Sequence, residues 1–178
     1  MPTLDLVKAY ETGDLRKDAS LATSYTNARG QKIEQRYAIK FLSNPTGPND
    51  AEDNFIELRY ADVLLMLAEA INESNSGPNA EAYEQVNAIR KRAGLAALPT
   101  GLDYEGFKNR LLQERRVEFA FENHRWFDLL RFGKALEVMQ AHASYNKAIV
   151  VTNTDLLLPI PQRKRDINPE GISQNPGY

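Results

Sequence analysis

The segment from Glu57 to Glu73 limits what this chain can fold into more than any other. Tyr60, Ala61, Val63, Leu64, Leu65, Met66, Leu67, Ala68, Ala70 and Ile71 make it apolar almost all round. Arg59, Asp62, Glu69 and Glu73 form its single polar stripe, at spacings of three, seven and four. This pattern predicts a helix buried on most sides rather than an ordinary surface helix. Ser74-Asn75-Ser76-Gly77-Pro78 ends it, and Asn79 is placed to cap a second helix running to Ala93. Ala82, Val86, Ile89 and Ala93 recur there at spacings of four, three and four, with Arg90 beside them, and Gly94 follows where a left-handed residue closes a helix. Two apolar-faced helices joined by a short loop predict an antiparallel helical hairpin.

Further helices are expected on either side of a break at Asn123. One runs from about Tyr104 to Glu122 with Asp103 as its cap, and Gly106 in its first turn costs about 1 kcal/mol relative to alanine. A short one covers His124 to Phe132 and stops at Gly133, and another begins at Lys134. Residues 1–50 read as irregular, apart from a helical turn at Val7–Tyr10 and a period of two at Tyr37, Ile39 and Phe41 that suggests a strand. Asn44 to Asp50 is dense in turn formers. The tail reads as extended, with prolines at 159 and 161 excluding a helix or central strand there.

Composition closes off several functions. With 178 residues the chain fits one ordinary domain, and 42% hydrophobic against 26% charged residues is globular usage. A formal charge of -2 gives no electrostatic footprint for nucleic acid. The absence of cysteine excludes disulfides, a thiol nucleophile and cysteine-bound metal. No stretch approaches the roughly 20 apolar residues of a membrane-spanning helix. The opening Met1-Pro2-Thr3-Leu4-Asp5 has neither the basic nor the apolar region of a signal peptide. Two histidines 18 residues apart make no metal motif, and the glycines form no dinucleotide fingerprint, so no metal or cofactor is expected. Arg163-Lys164-Arg165 reads as a solvated turn. Tyr10, Tyr25, Tyr37 and Tyr145 are candidates for stacking on a sugar ring.

The densest chemistry lies between Glu114 and Arg131. Arginines stand at 115, 116, 125 and 131, acids at 114, 118, 122 and 128, and Phe119, Phe121, Trp126 and Phe127 are interleaved. One reading is general acid–base catalysis by Glu114 or Glu118 with His124. The favoured reading is a structural network of guanidinium forks on carboxylates, each charge partnered within a helical turn. Arg125, Trp126, Asp128 and Arg131 are then expected to lock the short helix onto the long ones.

These blocks resemble the C-terminal half of the SusD/RagB family. The resemblance is carried by Arg59 to Ala70, by Val86 to Leu95, by Glu114-Arg115-Arg116-Val117-Glu118 through Arg125-Trp126-Phe127-Asp128-Leu129-Leu130-Arg131, and by Leu158-Pro159-Ile160-Pro161 with Asn168 to Tyr178. Pro2 to Val7 and Gly13 to Arg16 are similar to a segment from the middle of such proteins, and family members often have glycine where Asn123 stands. The resemblance implies a mainly α fold of tetratricopeptide-like helical hairpins, with extended loops and at most one short β-strand pair. It implies one C-terminal domain over 1–178, in which 1–54 is an irregular middle-region segment and 55–178 carries the signature helices and closing tail.

It further implies a non-catalytic glycan- or nutrient-binding protein on the outer membrane of Bacteroidetes. Its partners would be a SusC-like TonB-dependent transporter and an oligosaccharide or other nutrient, with the membrane reached only through a lipid anchor that this sequence lacks. Family members are two to three times this length, so the sequence is expected to be a piece. No ligand-binding residue is carried over. Arg59, Asp62, Glu69, Arg90, Glu114, Arg115, Glu118, Arg125, Trp126, Asp128 and Arg131 are expected to be structural. A tetratricopeptide-like protein-interaction module without glycan binding is the alternative.

Overall fold

The computed structural model describes residues 1–43, 47, 50, 54, 56–143 and 150–178. The expected loop at 44–50 falls mostly outside these, as does Tyr145. Two units result, Met1–Arg125 and Trp126–Tyr178.

The first unit runs α1 (Leu4–Ala9), α2 (Arg16–Ser20), β1 (Leu21–Ala22), β2 (Tyr25–Thr26), β3 (Lys32–Ile33), β4 (Tyr37–Ala38), α3 (Tyr60–Asn75), α4 (Ala80–Arg92) and α5 (Tyr104–Glu118). The predicted hairpin is present: α3 packs on α4, and α5 packs on α3. Local chemistry sets its boundaries. Ser76 turns left-handed (φ 53°) to end α3, and Asn79 Oδ1 accepts a hydrogen bond from Ala82 N at 2.9 Å to start α4. Asp103 Oδ1 accepts from Gly106 N at 2.7 Å to start α5. A Cβ on Gly106 would lie 2.8 Å from that oxygen, at the end of the Asp103 side chain, which would have to shift to keep the cap.

The core of this unit is built from one face of each long helix. Leu65 and Ala68 from α3, Ala82 and Val86 from α4, and Phe107 and Leu111 from α5 are all fully buried. A smaller cluster of Tyr10, Leu21, Val117 and Ala120 seats α1 and β1 against the end of α5. This satellite core holds the irregular N-terminal segment where its charges meet those of the helices.

Four expectations need correction. α3 is not buried on most sides: Tyr60, Val63, Met66 and Leu67 are exposed, while Asp62 and Asn72 lie within its buried face. Asp62 is tolerated inside because it is paired with Arg115, while Asn72 donates to Tyr104 O at 3.2 Å and leaves its Oδ1 without a partner among the described residues. Among the described residues there are two antiparallel strand pairs, not one: β1 with β4 (Leu21 opposite Ala38) and β2 with β3 (Tyr25 opposite Ile33). The strand expected at Tyr37 is present as β4 but is cut to two residues, and the other three are too short to show a period of two in sequence. α5 ends at Glu118 rather than Glu122, and both Phe121 (φ 70°) and Asn123 (φ 64°) are left-handed. The break at Asn123 is as expected, whereas a bulky phenylalanine in that region carries no sequence signal.

The second unit holds α6 (Arg125–Arg131, beginning at the boundary), α7 (Ala135–Ala143), a 3-10 turn (Asn153–Leu156) and α8 (Gln162–Ile167). Leu129, Phe132 and Ala135 are buried. The fourth correction is the basic run Arg163-Lys164-Arg165, which lies on α8 and not in a turn. Pro161 sits immediately before the helix, where its missing N–H costs nothing. Gln174 fastens the tail to itself, accepting from Ile160 N at 2.7 Å and donating to Ile160 O at 3.1 Å.

Candidate functional site

Glu114, Glu118 and Glu122 follow one another at intervals of four. Like charges at that spacing destabilise a helix unless cations from elsewhere neutralise them. The cations come from four other parts of the first unit. Arg16 Nη1 donates to Glu114 at 2.6 Å and to Glu118 at 3.2 Å, while its Nε and Nη2 grip Asp14 at 2.8 and 2.7 Å. Arg59, just before α3, donates to Glu118 at 2.8 Å and to both oxygens of Glu122 at 2.8 and 2.9 Å. Arg92, at the end of α4, donates to Glu118 at 2.5 Å. Lys40 pairs with Glu122 and donates to Glu118 O at 2.7 Å. Arg90 joins Glu114 at 3.1 Å to Glu11 at 2.7 Å.

The result, among the described residues, is one connected network of five cations (Arg16, Lys40, Arg59, Arg90, Arg92) and five carboxylates (Glu11, Asp14, Glu114, Glu118, Glu122). A separate buried pair, Arg115 with Asp62 at 2.5 Å, ties α5 to α3. The Arg59 and Arg115 guanidiniums lie 4.9 and 5.0 Å from the centre of the Phe119 ring, and the His124 ring is 4.8 Å from it. Planar cations on an aromatic face gain a cation–π term on top of their ion pairs.

Burial acts to raise the Glu118 carboxyl, but the hydrogen bonds and charges of Arg92 and Arg59 outweigh it and hold its pKa at about 2, against an ordinary 4.5. Glu122 is lowered in the same way by Arg59 and Lys40 against its own burial. Burial lowers Lys40, although Glu122 works in the other direction. A carboxyl at about 2 is ionised throughout the neutral range and cannot serve as a proton donor, which removes the acid role of Glu118 from the catalytic reading.

A pH dependence follows. Because the folded-state value lies below the unfolded one, the contribution of Glu118 is complete above about pH 4.5 and is lost as pH falls towards 2. The shift corresponds to about 3 kcal/mol of stability. Urea midpoints are expected to hold level down to about pH 5 and then drop steeply. A flat profile to about pH 2.5 would show that the network does not stabilise the folded state.

Beside the network is an open pocket of 540 Å³. Its apolar lining comes from Ala19, Phe41 and Ile56, and its polar lining from Ser20 and Asn54 and from the charged groups Arg16, Lys40, Arg59, Arg92, Glu118 and Glu122. Among the described residues no cluster of acids and histidines could hold a metal ion.

Of the residues singled out in sequence, Arg59, Asp62, Arg90, Glu114, Arg115 and Glu118 come together in these two ion-pair systems. Glu69 and Arg125 are half-buried elsewhere in the first unit. In the second unit Trp126 is half-buried, and buried Asp128 accepts from Arg131 at 3.0 Å, a pair within one turn as expected. The other expectation of local pairing fails: the partners of Glu114 and Glu118 are remote in sequence. Sequence reasoning gave Arg16, Lys40 and Arg92 no role, although three acids spaced by four residues along and just past α5 are themselves a sign that distant cations are required. Of the sugar-stacking candidates, Tyr10 is buried with its hydroxyl on Val117 O, and Tyr25 meets Tyr37 edge to face at 6.1 Å.

A helical hairpin with a third helix packed on it, braced by an internal acid–arginine network, defines a tetratricopeptide-like helical fold. The model of the SusD family matches residues 8–178, and the chain belongs to that family. It is 30% identical over 203 residues to SusD-like protein P2 of Formosa agariphila, covering 100% of this chain and 40% of that protein. Its structure is similar to that of a SusD superfamily protein from Parabacteroides distasonis, with a TM-score of 0.80, 32% identity, and 100% of this chain against 42% of the other. It is also similar to a laminarin-binding SusD-like protein, with a TM-score of 0.72 and 28% identity, covering 99% of this chain and 38% of that one. The chain thus spans about two fifths of these relatives. No helix among the described residues is long and apolar enough to cross a membrane.

Proposed function

We propose that this chain is the C-terminal part of a non-catalytic glycan- or nutrient-binding component of a SusCD-type uptake system at the bacterial outer membrane. The observation that carries this reading is the match to the SusD family over residues 8–178, together with structural similarity to a relative that binds laminarin. In this reading the whole length acts as one scaffold domain, and the signature residues from Arg59 to Arg131 brace it rather than contact ligand. Ligand is held by ring stacking and hydrogen bonds, with no covalent step. A SusC-like TonB-dependent transporter is the partner, and a lipid anchor carried elsewhere in the protein supplies the membrane attachment. Affinity electrophoresis of the intact protein in gels containing neutral and acidic polysaccharides tests binding. Retardation by at least one of them is expected, and unretarded migration in all of them would refute the reading. Co-purification of a TonB-dependent transporter tests the partner.

A second reading, a tetratricopeptide-like protein-interaction module, is favoured by the exposed apolar face of α3 at Tyr60, Val63, Met66 and Leu67. It predicts that Val63→Asp abolishes a specific protein contact while glycan binding is absent from the outset.

A further inference from the structure

We propose that the pocket between Phe41 and Arg92 is a saccharide subsite, and that it takes an uncharged pyranose rather than an acidic sugar. The proposal rests on the glycan-binding reading above and adds to it a place and a ligand class.

The pocket has the two kinds of surface a sugar ring needs. Phe41 is 38% exposed, and Ala19 and Ile56 line the pocket with it. The C–H face of a pyranose is apolar and packs on such a ring, while its hydroxyls point outward to polar groups. Arg92 lines the same pocket and can meet those hydroxyls. Its side chain is 56% exposed and bonds to Glu118 through Nη2 alone among the described residues, which leaves Nε and Nη1 hydrogens for sugar oxygens. The volume of 540 Å³ falls within the range of about 300–1,000 Å³ usual for small-molecule sites.

Charge bookkeeping selects the ligand class. The lining alone looks cationic, with Arg16, Lys40, Arg59 and Arg92 against Glu118 and Glu122. Among the described residues the network is balanced, because Asp14 and Glu114 stand behind Arg16, and Glu11 neutralises Arg90. A ligand carboxylate would therefore bring an uncompensated charge into a partly desolvated site, or pull Arg92 away from Glu118. A neutral hydroxyl accepts from Arg92 without disturbing that pair. The ion pairs also fix the polar lining before ligand arrives, so little ordering is required on binding.

Isothermal titration of the intact protein with maltohexaose, cellohexaose and hexagalacturonate tests this, with thermal melting as the control for folding. Phe41→Ala is expected to weaken binding of the neutral hexaose about tenfold or more with little change in melting, and Phe41→Tyr to retain it. Hexagalacturonate is expected to bind no more tightly than the neutral sugars. Neutral-sugar affinity unchanged in a folded Phe41→Ala protein would overturn the subsite while leaving the glycan-binding reading intact. Tighter binding of hexagalacturonate, lost in Phe41→Ala, would keep the place and overturn the ligand class. If the wild-type protein binds none of the three, while affinity gels show another glycan retained, the subsite as proposed is wrong. If the gels show none retained, both readings fall.

Discussion

Glu118→Gln is expected to lower stability by about 3–5 kcal/mol, the cost of breaking a buried ion pair from one side. The carboxylate is 2% exposed and accepts from Arg16, Arg59 and Arg92. Glutamine keeps the shape and one acceptor but presents an amide to cations that cannot shed their protons. Arg16, 11% exposed, has Asp14 and Glu114 to fall back on, and Arg59 has Glu122. Arg92 is more than half exposed and relaxes into water at little cost. The loss therefore belongs mainly to Arg16 and Arg59 and sits at the lower end of the range. Urea denaturation at neutral pH measures it, and the acid-induced drop should shrink in the variant to the part that Glu122 and Glu11 contribute. A loss under about 1 kcal/mol would mean that the arginines repartner freely and that Glu118 is not the hub.

The parts of the fold legible in sequence are those governed by short-range rules. Asn79, Gly94 and Asp103 sit where cap chemistry places them, within the limits of any helix boundary, and Asn123 is left-handed as expected although α5 has already ended at Glu118. The hairpin followed from two apolar stripes and a short loop. What the sequence hid is of two kinds. The strands are two residues long and take their pairing from tertiary contacts, so their own composition carries little of it.

The polarity of α3 was misread because its apolar residues outnumber those it buries. Burial went to the face carrying Asp62 and Asn72, since Arg115 and the Tyr104 carbonyl lie opposite them. No pattern within one helix encodes a partner 53 residues away. The same limit applies to the network: the acids of α5 were visible, while Arg16 and Lys40 lie in a segment whose irregularity hid their purpose. The family blocks were legible because they contain this bracing. The pocket was not, because its apolar lining comes from Ala19, Phe41 and Ile56, which no motif connects.

Phe107→Ala should cost about 3–5 kcal/mol, comparable to loss of the ionic hub but by a different mechanism. The ring is fully buried on α5, within the core formed with α3 and α4. Removing it deletes transferred apolar surface and leaves a cavity that three packed helices can only partly close. The ring also meets Tyr83 edge to face at 5.1 Å, and Tyr83 is itself fixed because its hydroxyl accepts from Leu102 N at 2.9 Å. A double-mutant cycle with Tyr83→Leu should therefore return a coupling of about 0.5–1.5 kcal/mol. The two large effects part company with pH. The Phe107 loss involves no titrating group and should be the same at about pH 7 and pH 4, whereas the Glu118 loss should begin to shrink as the carboxyl protonates in the unfolded chain while the folded one stays ionised. If both losses fell together on acidification, the helical core and the charge network would be one cooperative structure already failing in the wild type. If only the Glu118 loss shrinks, the core stands without the network, and the network's task is to hold the N-terminal segment, with Phe41 and its pocket, against the helices.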